Sequence, residues 1–184
     1  MDIDSRASRI KLLLMDVDGV LTDGKIFNVP GPDGTMAETK GFNAQDGMAL
    51  QWLHWKGIRT GVISGRESAA VELRARQTHM AYIYQGHVEK IPILEEILAD
   101  SKLDPGEIAF VGDDLTDVVV MHRVGLAIAP ANARPEVKRV AHVVTGASGG
   151  DGAVREAIEL ILKAQGLWAE ILNHYELGPD IGRR

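Results

Sequence analysis

A chain of 184 residues, 45% hydrophobic and 25% charged, suits a single globular domain over residues 1–184 with a substantial core and little left for a second. Its formal charge of -6 weighs against a general nucleic-acid binder, and the absence of cysteine excludes a disulfide framework, a thiolate metal site and a cysteine nucleophile. The short acidic start Met1-Asp2-Ile3-Asp4-Ser5-Arg6 has no basic region followed by an apolar one, and no apolar run reaches membrane-spanning length, so a soluble cytoplasmic protein without a membrane partner is expected.

Short, nearly continuous apolar runs alternate with helix-like segments, as in an α/β protein. The strands fall at 10–15, 58–63, 81–84, 108–111, 125–128 and 142–144, and their composition is that of strands buried on both faces of a mainly parallel, doubly wound sheet. Between the first two, Ile26-Phe27-Asn28-Val29 and Thr35-Met36-Ala37-Glu38-Thr39 flank Pro30-Gly31-Pro32-Asp33-Gly34, which predicts a projecting β-hairpin over about 25–41. Helical stripes run through Ile91, Leu94, Ile97 and Leu98, and through Val154, Ala157, Ile158, Ile161 and Leu162. Met48 and Met121 read as core fillers, Trp52 and Trp55 as packing or interface residues, and the six histidines have no metal-ligand spacing. A C-terminal tail is expected over about 166–184, its last residues from Gly178 having the composition of a mobile end.

The first strand ends in Asp16-Val17-Asp18-Gly19, two carboxylates one residue apart. Alternate strand residues share a face, so the pair concentrates negative charge that a divalent cation neutralises, and Mg²⁺ suits hard oxygen ligands. Three further polar signals also follow apolar strands. Ser64-Gly65-Arg66 offers a hydroxyl and a close-approach amide at a helix start, a place that favours anions. Lys90 opens a helix, where a cation is unfavourable unless an anion faces it. Gly112-Asp113-Asp114-Leu115-Thr116-Asp117 crowds three carboxylates together. Taken singly, Ser64-Gly65 reads as a helix cap and Lys90 as a solvated lysine; together the loops converge beyond the carboxyl ends of the strands, where open α/β sheets bind ligands.

These segments resemble the four ordered motifs of the haloacid dehalogenase superfamily. The extended Asp16-Val17-Asp18-Gly19-Val20-Leu21-Thr22-Asp23-Gly24, Gln85-Gly86 ahead of Lys90, and Gly149-Gly150-Asp151-Gly152-Ala153-Val154-Arg155-Glu156 are similar to the 3-deoxy-D-manno-octulosonate 8-phosphate phosphatase branch. The resemblance implies a Rossmann-like fold, a phosphomonoesterase acting on a phosphorylated sugar acid, and a place in lipopolysaccharide synthesis. It implies Asp16 as nucleophile and Asp18 as general acid and base. It also implies Mg²⁺ held by Asp16, the Asp18 carbonyl and Asp113, with Ser64, Gly65 and Lys90 on the phosphoryl oxygens. Asp114 and Asp117 would support that shell. Arg66 is the nearest cation for a sugar carboxylate, ahead of Arg74 and Arg155, and Asp46 is a candidate for sugar hydroxyls or a helix cap.

Neither the stretch between Asp18 and Ser64 nor that between Lys90 and Asp113 is long enough for a cap domain. The resemblance therefore implies a homotetramer, in which a neighbour covers the cleft through the hairpin or the C-terminal segment. Where related phosphatases resemble Phe-His-Val-Arg-Asp-Gly, this chain has Phe42-Asn43-Ala44-Gln45-Asp46-Gly47, which opens the alternatives of a nonulosonate 9-phosphate or a broad range of sugar phosphates. A non-enzymatic oligomerisation module, like those fused to cytidylyltransferases, is the contrasting expectation.

Overall fold

The computed structural model describes residues 2–178. It begins with α1 (Ile3–Ala7), β1 (Leu12–Met15), β2 (Phe27–Pro30), β3 (Met36–Thr39), α2 (Ala44–Trp55) and β4 (Arg59–Ile63). Then follow α3 (Ala69–Gln77), β5 (Tyr82–Tyr84), α4 (Lys90–Ser101), β6 (Ile108–Val111), α5 (Leu115–Met121) and β7 (Leu126–Ala129). The chain closes with α6 (Pro135–Val140), β8 (Val143–Val144), α7 (Ala153–Ala164) and α8 (Trp168–His174). Among the described residues no helix is long and apolar enough to cross a membrane.

Six strands form one parallel sheet in the order β5-β4-β1-β6-β7-β8, and β2 pairs with β3 as a separate antiparallel hairpin. β1 lies inside the sheet with all four side chains buried, which is why its sequence does not alternate. Leu13 and Met15 join one core layer with residues of α2, α3 and α7, while Leu12 and Leu14 join the opposite layer with α4, α5 and α6. The chain first winds outward through β4 and β5, then crosses by α4 to β6 and winds the other way. The reversal beside β1 opens a crevice at the carboxyl ends of β1, β4 and β6.

Most strands begin one or two residues later than their apolar runs. Gly125 stays outside β7: its amide donates to the Pro105 carbonyl in the loop before β6, and a β-carbon there would stand 2.1 Å from the Gly106 carbonyl oxygen. On α4, Ile93 is buried beside Leu94 and Ile97, whereas Ile91 and Leu98 sit at the margin of the stripe. Met121 is buried as expected, but Met48 is not a core filler. It lies on the outer face of α2, while Ala49, Leu50, Trp52 and Leu53 turn inward.

The segment from 166 is not a free tail. α8 returns onto the core through buried Ile171, and Trp168 meets Trp52 edge to face at 5.6 Å between ring centroids. Trp55, one turn further along α2, is exposed and lies against His174. The expected mobile end, apart from Gly178, lies outside the described residues. The hairpin projects with Ile26, Phe27, Val29 and Met36 all exposed.

Candidate active site

The loop that follows β1 carries Asp16 and Asp18 and is fixed by backbone contacts. The Leu21 and Thr22 amides both donate to the Val17 carbonyl, and Gly19 takes φ +89°, a conformation costly for any residue with a β-carbon. At the end of β4, Ser64 is buried and its Oγ accepts from the Arg66 amide. At the end of β6, Gly112 leads into Asp113 and Asp114; a β-carbon on Gly112 would collide with Asp117, so the turn stays tight. These three loops and the start of α4 enclose a cleft of about 240 Å³ lined by Asp16, Asp18, Ser64, Gly65, Arg66, Lys90, Asp113 and Asp114, with Val88 and Thr116 at its margin.

Lys90 is the hub. Its side chain is 2% exposed, and Nζ stands 2.9 Å from Asp16 Oδ1 and 2.6 Å from Asp117 Oδ1. The solvated lysine that this residue suggests in isolation is thus a buried ammonium, and two carboxylates explain a cation at a helix start. Burial works against its charge, but Asp16 and Asp117 outweigh it and raise its pKa. The other Asp117 oxygen accepts from the Asp113 and Asp114 amides at 2.9 and 3.2 Å. Asp117 therefore ties Lys90 to the loop after β6. Asp114 caps α5 by accepting from the Leu115 amide.

Negative charge in this cleft exceeds what Lys90 neutralises. Burial raises Asp16 to about 6 against the pull of Lys90, and raises Asp113 to about 7 with help from Asp117 and Asp16. Oxygens of Asp16, Asp113 and Asp117 lie within 4.8 Å of one another. Asp113 Oδ1 is buried with no hydrogen-bond partner, whereas both Asp117 oxygens are already engaged. A hard divalent cation fits that donor set, with Asp16 and Asp113 as the carboxylates left to hold it.

A family model of haloacid dehalogenase-like hydrolases matches residues 63–158. The 3-deoxy-D-manno-octulosonate 8-phosphate phosphatase of Yersinia pestis is 42% identical over 164 residues, covering 89% of this chain and 86% of that protein. This chain belongs to the haloacid dehalogenase-like hydrolases, in the 3-deoxy-D-manno-octulosonate 8-phosphate phosphatase branch. It is a phosphoric monoester hydrolase. A probable YrbI family phosphatase from Pseudomonas syringae superposes with a TM-score of 0.90 at 43% identity, covering 96% of this chain and 98% of that one. The Moraxella catarrhalis 3-deoxy-D-manno-octulosonate 8-phosphate phosphatase, solved with magnesium, phosphate and a KDO molecule, gives 0.88 at 38% identity, covering 94% and 97%.

In this phosphatase Asp46 is not among the residues that line the cleft. It is buried in the first turn of α2, and its Oδ1 accepts from the Arg155 amide of α7 at 2.7 Å. Asn43 caps α2 by accepting from the Gln45 and Asp46 amides, so this departure from related phosphatases is taken up by a helix start. Arg74 donates to the Asn43 carbonyl and fills the space that Gly47 leaves, while the Arg155 guanidinium lies over Trp52. Arg66 alone of the three candidate arginines lines the cleft.

Further groups at the site stand outside the four motifs. Lys40, just past the end of β3, reaches from the hairpin to Asp18, and Glu38 on β3 binds Arg66. In extended chain, residues two apart share a face, and that spacing was the available signal. Asn132 holds the first loop from behind: Nδ2 donates to the Gly19 carbonyl at 2.9 Å, and Oδ1 accepts from the Gly149 amide at 2.6 Å. Gly149 has no room for a β-carbon, which would stand 1.8 Å from that same carbonyl oxygen.

Proposed function

We propose that this chain is a Mg²⁺-dependent phosphatase that hydrolyses 3-deoxy-D-manno-octulosonate 8-phosphate through an aspartyl-phosphate. The observation that carries the reading is the separation of two neighbouring carboxylates into different surroundings: Asp16 against Lys90 at the cleft floor, Asp18 at the rim against hairpin and arginine. That division suits one group that attacks and one that moves protons.

Asp16 attacks phosphorus, the bond from phosphorus to the terminal sugar oxygen breaks, and Asp18 gives that oxygen its proton. Water then attacks the aspartyl-phosphate while Asp18 takes a proton from it, and the break between phosphorus and Asp16 releases phosphate and restores both residues. Lys90, the Ser64 hydroxyl and the Gly65 amide hold the phosphoryl oxygens; Arg66 takes the sugar carboxylate. Asp16, Asp113 and the Asp18 carbonyl would hold Mg²⁺, whose charge would offset that of an anion attacking an anion.

The substrate assignment draws on the relatives' chemistry. A bare oligomerisation module has no use for a lysine buried between two carboxylates. Measuring kcat/KM over phosphorylated sugar acids and simple sugar phosphates, with Asp16→Asn as control, tests the reading. A marked preference for the octulosonate ester supports it, and a flat profile overturns the substrate assignment. The open cleft and the exposed apolar hairpin further favour a homotetramer in which a neighbour supplies cover. A fully active monomer in a dilution series by light scattering contradicts that assembly.

A further inference from the structure

Asp18 is held from two sides. Its Oδ1 accepts from Lys40 Nζ at 2.5 Å, and its Oδ2 lies 3.7 Å from Arg66 Nε. Lys40 Nζ also lies 3.1 Å from Glu38 Oε1, and the other Glu38 oxygen accepts from Arg66 Nη2. Two acids and two bases alternate round a closed ring, each carboxylate shared between both cations. Three of the four ring members sit at or near the surface, with side chains 18 to 47% exposed, whereas that of Lys40 is 1% exposed.

An ammonium withdrawn from water at the end of an otherwise solvent-facing hairpin is costly unless its partners are fixed. Lys40 is thus committed to Asp18 and Glu38, and its short contact holds Asp18 Oδ1 to the hairpin while Oδ2 is left on the side of Arg66, which lines the cleft. We propose that Lys40 is a positioning residue for the hydrolysis: by engaging Asp18 Oδ1 it leaves Oδ2 aimed at the oxygen that departs from phosphorus. The assignment rests on the reading of Asp18 as general acid. A proton donor works only within hydrogen-bond reach of its target, so a shift of about 1 Å costs on the order of 10²-fold in rate.

Leaving groups separate this role from simple anchoring of the hairpin. A sugar alkoxide departs only as its oxygen is protonated, whereas p-nitrophenolate departs unaided. Because kcat/KM covers only steps up to the first irreversible one, it reports breakage of the bond to the leaving oxygen. Lys40→Met is expected to lower kcat/KM for the octulosonate 8-phosphate by about 10²-fold more than for p-nitrophenyl phosphate. Lys40→Arg, which keeps a cation, recovers part of the difference. Equal losses on the two esters, or no loss on either, overturn the assignment of Lys40 while leaving the phosphatase reading intact. A wild-type protein inactive on both esters overturns that reading and this inference with it. Residual aryl phosphatase activity in Lys40→Met shows that the variant is folded.

Discussion

A β-carbon on Gly19 would stand 2.1 Å from Asp113 Oδ2, so the backbone after Asp18 and the carboxylate of Asp113 meet in a contact that only glycine permits. The two loops that supply the proposed metal ligands are thereby set against each other. Gly19→Ala forces either the first loop or Asp113 to move, and at φ +89° it also adds strain of about 1–2 kcal/mol. Activity is expected to fall by about 10²-fold with the apparent Mg²⁺ affinity weakened. A Mg²⁺ titration of activity checks this; a wild-type titration curve contradicts it.

On the proposed ligand set, protons and Mg²⁺ compete for the same carboxylates. Without metal, Asp16 and Asp113 are raised from 3.8 to about 6 and about 7, chiefly by burial. Raised values in the folded state mean that their contribution to stability is fully present only below the unfolded value of 3.8, and is lost as pH climbs from there through about 6 for Asp16 and about 7 for Asp113. Mg²⁺ binds the ionised forms and relieves that loss. The rise in Tm on adding Mg²⁺ is therefore expected to be small near about pH 5 and to grow toward about pH 8. Thermal scans with and without the metal test the sign, and an increment that shrinks with pH refutes it.

Lys90 and Asp117 form the buried part of the network, at 2% and 0% exposure. Removing one member leaves uncompensated charge in the interior, a defect of about 3–5 kcal/mol. Lys90→Met is expected to lose that much in urea denaturation and to be inactive as well. Asp117→Asn alone frees Lys90 from one partner, and the double variant is expected to be less destabilised than the sum of the single changes. Strict additivity would mean that the 2.6 Å contact carries no coupling.

The parallel sheet, the hairpin and the carboxylate loops were legible in the sequence because each leaves a local mark: an unbroken apolar run, a Pro-Gly turn, charges at a strand end. Lys90 was legible only by its misfit, a cation where a helix start favours anions. What escaped depends on pairs distant in the chain. Asn132 and Gly149 meet behind Gly19, and the orientation of Met48 depends on which face of α2 packs on α7. α8 is too short for periodicity to announce it, and its docking depends on Trp168 finding Trp52.

Asp46 separates packing from recognition. Its carboxyl is raised by burial, one oxygen accepts from the Arg155 amide and the other has no hydrogen-bond partner, so it joins α2 to the start of α7. Asp46→Ala removes a cap-like hydrogen bond and is expected to cost about 0.5–2 kcal/mol of stability. Since the side chain does not line the cleft, KM for the sugar acid phosphate is expected to stay within about twofold of wild type, as ordinary additivity allows for separate sites. Arg66→Ala should behave oppositely, with little change in Tm and a raised KM for esters that carry a carboxylate. Urea denaturation and steady-state kinetics on the two variants test the contrast, and a KM defect in Asp46→Ala as large as that of Arg66→Ala returns Asp46 to the substrate site.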